Sequence, residues 1–306
     1  MSGASITGAA RLAGIMGWPV KHSRSPRLHG AWLKNYGIDG AYVPLPVAPE
    51  NLGAALKALP MLGFAGVNLT VPHKETALRF MDEVTSVARR IGAVNTVIIL
   101  PNGKLRGDNT DCFGFIANLQ TALPTWQATA GPAVVLGAGG AARAVIAGLL
   151  DQGCPEVRLA NRSQARAEAV VHDLGGTDFA GKIRVLPWPV DAAALSDAVL
   201  LVNTTSLGMT GQPPLELSLQ GLPPRAVVTD VVYAPLQTDL LIQAKTRGHQ
   251  TVDGLGMLLH QARPAFAAWF GKEPEVTPEL RQIVLGALAA EKKGGPEEKA
   301  FPEEKA

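Results

Sequence analysis

An apolar segment that runs directly into a glycine-rich turn near mid-chain most constrains the fold. Residues 133–136 are apolar, Gly137, Gly139 and Gly140 follow, and a helix-forming stretch begins at Ala141. A strand, a tight turn and a helix in this order form the phosphate-binding turn of dinucleotide-binding folds. The glycines let a pyrophosphate approach closely, and the helix N-terminus supplies free N–H groups. The pattern therefore predicts a Rossmann-like unit in the second half of the chain.

Length and composition restrict the class of protein. A chain of 306 residues is expected to form about two domains, and 47% hydrophobic against 18% charged residues supports a packed core. A net charge of +2 favours neither nucleic acid nor a membrane surface as a partner, and it fits a monomer or a homodimer. The first residues lack a basic-then-apolar pattern, so we expect no leader segment, and no apolar run is long enough to span a membrane. Cys112 and Cys154 have no disulfide or metal-binding spacing, so we expect a cytoplasmic protein without a bound metal.

Strand-like and helix-like segments alternate along the chain, which predicts an α/β fold with parallel strands. A hairpin turn is expected at 101–104, where Pro, Asn, Gly and Lys follow one another. Strands are predicted at 12–16, 41–46, 66–69, 94–100, 133–136, 156–160, 183–186, 199–203 and 226–232. Helices are predicted at 26–36, 51–59, 74–81, 111–122, 141–152, 164–174, 255–270 and 278–290.

These elements predict two domains joined near Pro124. The first is an N-terminal α/β substrate-binding and catalytic domain at 1–123, and the second is a Rossmann-like dinucleotide-binding domain at 124–254. We expect the last two helices, within about 255–290, to return to the first domain. The tail at 292–306 is charged, interrupted by prolines and poor in apolar residues, so we expect it to be disordered.

The end of the strand at 156–160 indicates which dinucleotide binds. NAD-specific folds place a carboxylate there for the ribose hydroxyls, but this chain has Asn161, Arg162 and Ser163, with Arg166 one turn later. Guanidinium groups pair with a 2′-phosphate, whereas a carboxylate would repel it. The alternative is that the two arginines only form a solvated helix face. We favour the phosphate interpretation, and therefore NADP over NAD.

Polar residues interrupt the apolar runs of the first half at three places. Ser23 and Ser25 lie two positions apart in an extended segment and can face one ligand, although Ser25 precedes a proline and can also cap the next helix. Lys74 follows a strand and a proline turn, where α/β folds present functional groups. Asn95 forms the third place together with 108–111, and the latter segment also fits an Asx turn that begins a helix.

At this level of detail the chain resembles the shikimate dehydrogenase family, from about Gly14 to Gly271. The first motif reads Pro-Val-x-His-Ser-x-Ser-Pro, the second Asn-x-Thr-x-Pro-x-Lys, and the glycine turn Gly-Ala-Gly-Gly-Ala-Ala-Arg. The matching segments are 19–26, 68–74, 92–96, 107–111, 137–143, 161–163, 203–209 and 253–262. Two departures occur, at Gly30, where Asn is usual, and at Ser163, where Thr is common. The resemblance implies reduction of 3-dehydroshikimate with NADPH, a step of aromatic amino-acid biosynthesis.

The resemblance also implies a role for each matching residue. Ser23 and Ser25 would hold the substrate carboxylate, and Lys74 and Asp111 would form the catalytic pair. The remaining substrate contacts would come from Thr70, Asn95, Asp111, Tyr233 and Gln261. The cofactor contacts would come from Gly137, Ala138, Gly139, Gly140 and Ala141 at the pyrophosphate, from Asn161, Arg162, Ser163 and Arg166 at the adenosine, from Gly254 near the nicotinamide, and from Thr204.

Reduction of a ketone needs a hydride on carbon and a proton on oxygen, and Lys74 is the candidate proton donor, oriented by Asp111. Two alternatives remain. One is a quinate/shikimate dehydrogenase of broader range, which a carboxylate after the second Rossmann strand would favour. The other is a ligand-sensing regulator without catalysis, which the loss of Lys74 or Asp111 would favour.

Overall fold

The computed structural model describes residues 6–176 and 178–291, and the tail predicted to be disordered lies outside them. The strands are β1 (Arg11–Gly17), β2 (Gly40–Pro46), β3 (Phe64–Leu69), β4 (Glu83–Val84), β5 (Thr96–Ile99), β6 (Leu105–Asp108), β7 (Ala133–Leu136), β8 (Val157–Ala160), β9 (Ile183–Leu186), β10 (Leu200–Asn203), β11 (Val227–Asp230) and β12 (Gln250–Val252). The α-helices are α1 (Ser25–Asn35), α2 (Leu52–Ala58), α3 (His73–Thr76), α4 (Ser86–Ile91), α5 (Asp111–Ala122), α6 (Gly140–Asp151), α7 (Gln164–Gly175), α8 (Asp239–Thr246), α9 (Leu255–Phe270) and α10 (Pro278–Glu291).

The second sheet is parallel throughout and has the strand order β12-β11-β10-β7-β8-β9. Its central strands are buried along their whole length, because helices cover both faces of the sheet. The strand order reverses between β7 and β10, and ligands of open α/β sheets bind at the crevice that such a reversal creates. The predicted Rossmann-like fold is therefore confirmed.

The first sheet differs from the expected parallel arrangement. Its order is β2-β1-β3-β5-β6-β4, and β5 runs antiparallel to both β3 and β6. The reason is the turn at 101–104, where the Leu100 N–H donates to the Lys104 carbonyl at 2.9 Å and closes a hairpin. A tight hairpin can join only antiparallel strands, since parallel neighbours need a long crossover.

The last two helices return to the first sheet, as predicted. Trp269 on α9 is buried and its Nε1 donates to the Val97 carbonyl on β5 at 3.1 Å. Trp32 on α1 donates to the Glu275 carbonyl, just before α10, at 2.9 Å. All strands of the first sheet precede residue 109 and those of the second follow residue 132, so the boundary near Pro124 falls between them and stays a prediction.

Several short helices and strands were not predicted from the sequence pattern. The helices α4 and α8 and the strands β4, β6 and β12 were not predicted, because each is too short to show a clear apolar period. No helix in the described part of the chain is long and apolar enough to cross a membrane.

Candidate active site

A cleft of about 320 Å³ lies between the two sheets, and residues from both sides line it. The strand ends of the first sheet, the start of α5, the segment after β11 and one face of α9 form its walls. Every residue that the resemblance assigns to substrate or catalysis lines this cleft: Ser23, Ser25, Thr70, Lys74, Asn95, Asp111, Tyr233 and Gln261. The structure thus brings together side chains that are far apart in the sequence.

Lys74 lies in the first turn of α3, immediately after the turn that follows β3. Its Nζ donates to Asp111 Oδ2 over 2.5 Å, and its carbonyl accepts the Val94 N–H at 2.8 Å. The lysine side chain keeps 25% of its surface exposed, against 9% for Asp111. The ammonium is therefore anchored to a carboxylate and still accessible to a ligand in the cleft.

Asp111 begins α5, and its place is set by the loop before it. Its N–H donates to Asn109 Oδ1 at 3.0 Å, so the Asx turn considered from the sequence is present. This does not compete with a role in the cleft, because the turn uses only the backbone of Asp111.

Asn95 connects the parts of this cluster. The Thr110 N–H donates to Asn95 Oδ1 at 2.9 Å, and because a backbone N–H can only donate, the amide oxygen must face it. Asn95 Nδ2 then faces Asp111 Oδ1 at 2.8 Å and Gln261 Oε1 at 3.3 Å. Gln261 Nε2 in turn donates to the Leu258 carbonyl at 3.1 Å. The two oxygens of Asp111 are thus divided between the amide of Asn95 and the catalytic candidate lysine.

Asn68 was missed as a site residue by the sequence reasoning. It is buried in β3 and lines the cleft, and its Oδ1 accepts the Tyr42 hydroxyl at 2.7 Å. Asn68 Nδ2 donates to the Asn95 carbonyl and to Thr96 Oγ1, both at 3.1 Å. Burial raises the pKa of Tyr42, and the ring of His29 stacks on it with centroids 4.0 Å apart. The signal in the sequence was a lone amide in an otherwise apolar strand.

The two serines lie at the entrance to α1. The interpretation of Ser25 as the helix cap is wrong, because α1 begins at Ser25 itself and the preceding Arg24 makes no side-chain cap. The Ser25 N–H instead donates to Ser23 Oγ at 3.3 Å, and both serines line the cleft. The hydroxyl of Ser25 is therefore not used for capping.

Tyr233 and Gly254 line the cleft from the side of the second sheet. Tyr233 follows β11 and packs against the apolar cluster of the first domain, and burial raises the pKa of its hydroxyl. Gly254 stands just before α9, and a Cβ there would lie 2.3 Å from the Val231 carbonyl oxygen. Only glycine therefore allows the chain to pass this close to the segment that carries Tyr233.

The glycine turn after β7 is shaped to accept an anion. Gly137 has φ +105°, and a Cβ on it would lie 2.8 Å from Thr204 Oγ1. Around Gly139 and Gly140 a Cβ would meet nothing within 4 Å, so open space lies in front of the N-terminus of α6. That helix has no side-chain cap, and its Ala142 is fully buried against the core. Uncapped N–H groups facing open space fit a pyrophosphate. Ala138 and Ala141 belong to the same turn and first helical residues.

The strand end after β8 exposes the predicted adenosine-binding group. Ser163 caps α7 by accepting the Arg166 N–H at 3.4 Å, and Asn161 Nδ2 donates to the Ser163 carbonyl at 2.9 Å. Arg162 and Arg166 are exposed and form no ion pair with any described residue. By contrast, Arg158 in β8 is paired with Glu156 and Asp197. The two exposed guanidinium groups are thus available to an anion from outside.

A metal site is not apparent in the described ranges. Within 6–176 and 178–291 no group of three or more His, Cys, Asp or Glu side chains could hold a metal ion. Cys112 and Cys154 are free thiols, and burial raises the pKa of each.

Comparison with known proteins assigns a family. Models described as the shikimate dehydrogenase substrate binding domain, shikimate/quinate 5-dehydrogenase and the shikimate 5'-dehydrogenase C-terminal domain match residues 15–97, 121–188 and 254–282. Shikimate dehydrogenase (NADP(+)) of Rhodospirillum rubrum is 62% identical over 281 residues, 92% of this chain and 99% of that protein. The chain belongs to the shikimate dehydrogenase family. The resemblance inferred from the motifs is therefore confirmed.

Solved structures of this family share the whole fold. The shikimate 5-dehydrogenase of Thermus thermophilus, solved with NADP(H) and shikimate, is 37% identical with a TM-score of 0.79, covering 90% of this chain and 99% of that chain. The quinate dehydrogenase of Corynebacterium glutamicum, solved with NAD, is 32% identical with a TM-score of 0.84, covering 90% and 99%. Shikimate dehydrogenases and a quinate dehydrogenase thus have the same architecture, and side chains must distinguish them.

Proposed function

We propose that this chain catalyses the reversible NADPH-dependent reduction of 3-dehydroshikimate to shikimate. The observation that carries the proposal is the Lys74–Asp111 ion pair in a cleft faced by an open glycine turn. The relatives named shikimate dehydrogenase (NADP(+)), one of them 62% identical, support the reaction and the cofactor. The free thiols of Cys112 and Cys154 support a cytoplasmic location.

In the proposed mechanism, the substrate carboxylate binds the hydroxyls of Ser23 and Ser25, and Tyr233 closes that side of the cleft. Thr70 and Gln261 form hydrogen bonds with the ring hydroxyls of the substrate, and Asn95 holds Asp111 in place. This arrangement directs the carbonyl oxygen toward Lys74. Because Asn95, Asp111 and Gln261 are buried and joined by hydrogen bonds through Asn95, they need little rearrangement when the substrate arrives.

Lys74 performs the proton transfer in this proposal. When bound, the reduced nicotinamide supplies the hydride that adds to the carbonyl carbon. The ammonium of Lys74 donates its proton to the carbonyl oxygen as negative charge develops there, and the neutral amine later regains a proton from water. Asp111 keeps the ammonium oriented through its Oδ2. In the oxidative direction, Lys74 accepts the proton from the substrate hydroxyl.

The cofactor subsite is proposed from the second sheet. The turn at 137–141 would hold the pyrophosphate on the N-terminus of α6, with Thr204 and Gly254 lining the path toward the substrate. Arg162 and Arg166 would pair with the 2′-phosphate, and Asn161 and Ser163 would contact the adenosine. The absence of any Asp or Glu at 161–166 supports NADP rather than NAD.

An absorbance assay at the reduced-nicotinamide band tests the proposal, using shikimate or quinate with NADP or NAD in all four pairings. Fast turnover only with shikimate and NADP is the expected result. Comparable rates with quinate or NAD would place the chain with the broader quinate/shikimate dehydrogenases. No turnover in any pairing would return the protein to the ligand-sensing alternative.

A further inference from the structure

One buried carboxylate outside the cleft is tied to the loops on both sides of it. Asp230 ends β11 and is 1% exposed. Its Oδ1 accepts the Val232 N–H and Asn203 Nδ2, both at 3.0 Å, and its Oδ2 accepts the Thr238 hydroxyl at 2.8 Å. All three donors are neutral, and burial raises the pKa of the carboxyl group. A buried polar group with this many bonds holds its neighbours firmly, since each lost bond is costly.

The hydrogen bond to Asn203 connects Asp230 to the loop after β10, on the cofactor side of the cleft. Asn203 Nδ2 also donates to the Leu207 carbonyl at 3.2 Å, and its Oδ1 accepts the N–H and the hydroxyl of Thr205 at 3.0 and 2.7 Å. Thr204, which lies between Asn203 and Thr205 in the chain, donates its hydroxyl to the Leu136 carbonyl at 2.6 Å, where the glycine turn begins. Asn203 therefore sets the loop after β10 against the predicted pyrophosphate site.

The bonds to Val232 and Thr238 lead to the substrate side. Val232 immediately precedes Tyr233, which lines the cleft. Thr238 also caps α8 by accepting the Leu241 N–H at 3.4 Å. The loop after β10 meets this segment directly, because the Thr210 N–H donates to the Ala234 carbonyl at 2.7 Å. Both loops thus depend on the same carboxylate.

We infer that Asp230 is a positioning residue that holds the cofactor-side loop and the Tyr233 segment in one fixed arrangement. It lines neither part of the cleft itself, so it acts through Asn203 on one ligand and through Val232 on the other. The inference rests on the proposed function, because it assumes shikimate at Tyr233 and NADP at the loop after β10. Its consequence is that one substitution at Asp230 weakens both ligands together.

Binding calorimetry on the full chain tests this with two variants and a matched control. Asp230→Asn keeps the size of the side chain, but its amide nitrogen cannot accept the Thr238 hydroxyl. Thr238→Val removes that donor and keeps the shape. Thr229→Val is the control, because Thr229 is equally buried on β11 and makes no side-chain bond to Asp230 among the described residues. Shikimate and NADP are titrated separately, and thermal unfolding shows that each variant is folded at the assay temperature.

We expect both variants to raise the Kd of shikimate and the Kd of NADP by about five- to tenfold each. The control should leave both constants within about twofold of the original protein. If Asp230→Asn does not fold, Thr238→Val alone decides. Unchanged constants, or weakening of a single ligand, would overturn the role of Asp230 while the unaltered protein still binds and turns over shikimate. Failure of the unaltered protein to bind shikimate would overturn the proposed function instead, and the coupling with it.

Discussion

The two sides of the cleft are built in opposite ways. On the substrate side, Asn68, Asn95 and Asp111 are all buried, and each is bonded to other protein groups. On the cofactor side, Arg162 and Arg166 are exposed, and open space lies in front of Gly139. The substrate side is preorganised by hydrogen bonds within the protein, whereas the groups of the cofactor side are free to bond to a ligand.

The difference follows from what each ligand brings. A small polyol offers a few hydroxyl groups and one carboxylate, so orientation must come from protein groups that are already fixed. A dinucleotide phosphate brings several negative charges, which can order flexible guanidinium groups and satisfy free N–H groups on arrival. Damage to the substrate side should therefore reduce turnover and stability, and damage to the cofactor side should reduce affinity alone.

The largest effect on the substrate side is expected from Lys74→Ala. We expect kcat to fall by about a thousandfold, because the proposed proton donor is lost, while NADPH affinity stays unchanged. Stopped-flow or steady-state absorbance gives kcat, and nucleotide fluorescence gives the Kd. Lys57→Ala, at an exposed lysine on α2, is the control and should behave like the original protein. Near-normal turnover in Lys74→Ala would remove Lys74 from the mechanism.

Two asparagines allow the sides to be compared directly. Asn95→Ala removes the bonds to Asp111 and Thr110, so we expect kcat to fall by about a hundredfold and Tm by about 5 °C. Asn161→Ala, at the exposed strand end, should leave Tm and kcat unchanged and raise the KM of NADP a few-fold. Scanning calorimetry and the absorbance assay provide these values. Equal losses of Tm in both variants would contradict the contrast between the two sides.

The substrate side should also be the acid-sensitive one. His29 is fully buried, and burial lowers its pKa from 6.5 to about 3. Between these two values the unfolded chain binds a proton that the folded chain does not, so stability falls as pH decreases below 6.5. From pH 6.5 to pH 4.5 the loss attributable to His29 is about 2 kcal/mol.

Urea unfolding at the two pH values checks this prediction in His29→Phe, which keeps a ring between Trp32, Tyr42 and Phe266. The pH dependence should decrease by about that amount. His172→Gln, at an exposed histidine on α7, should leave it unchanged. An unaltered pH dependence of stability in His29→Phe would show that a group other than His29 causes the sensitivity to acid.

The smallest effect is expected on the cofactor side. Arg162→Ala should raise the KM of NADP by about tenfold and leave the KM of NAD unchanged, because only NADP has the 2′-phosphate. Arg166→Ala should act in the same direction, and Arg247→Ala, at an exposed arginine immediately after α8, should have no effect. Initial rates at varied NADP and NAD provide the test. An equal change for both nucleotides would favour the solvated-face interpretation of these arginines.

Local patterns were enough to predict elements in both halves of the chain. The strand at 133–136 and the helix at 255–270 match β7 and α9 in the structure, since buried strands and amphipathic helices have distinct periods. The hairpin predicted at 101–104 is present and sets the antiparallel direction of β5, but β6, the strand that follows this turn, was not among the predicted strands. Capping by Ser25, which the sequence left open beside a ligand role, does not occur, since the helix begins one residue earlier than the proline suggested.

By itself the sequence determined the glycine turn, the arginines after β8 and the lysine after β3, because each depends on residues that are neighbours in the chain. Only the tertiary structure decided that Asn95 meets Gln261, 166 positions away, and that Asp230 joins loops on both sides of the cleft. Those contacts depend on how the two sheets and α9 pack. A hydrogen bond between distant residues leaves no periodic signal in the chain, and burial makes that bond obligatory once the fold has formed.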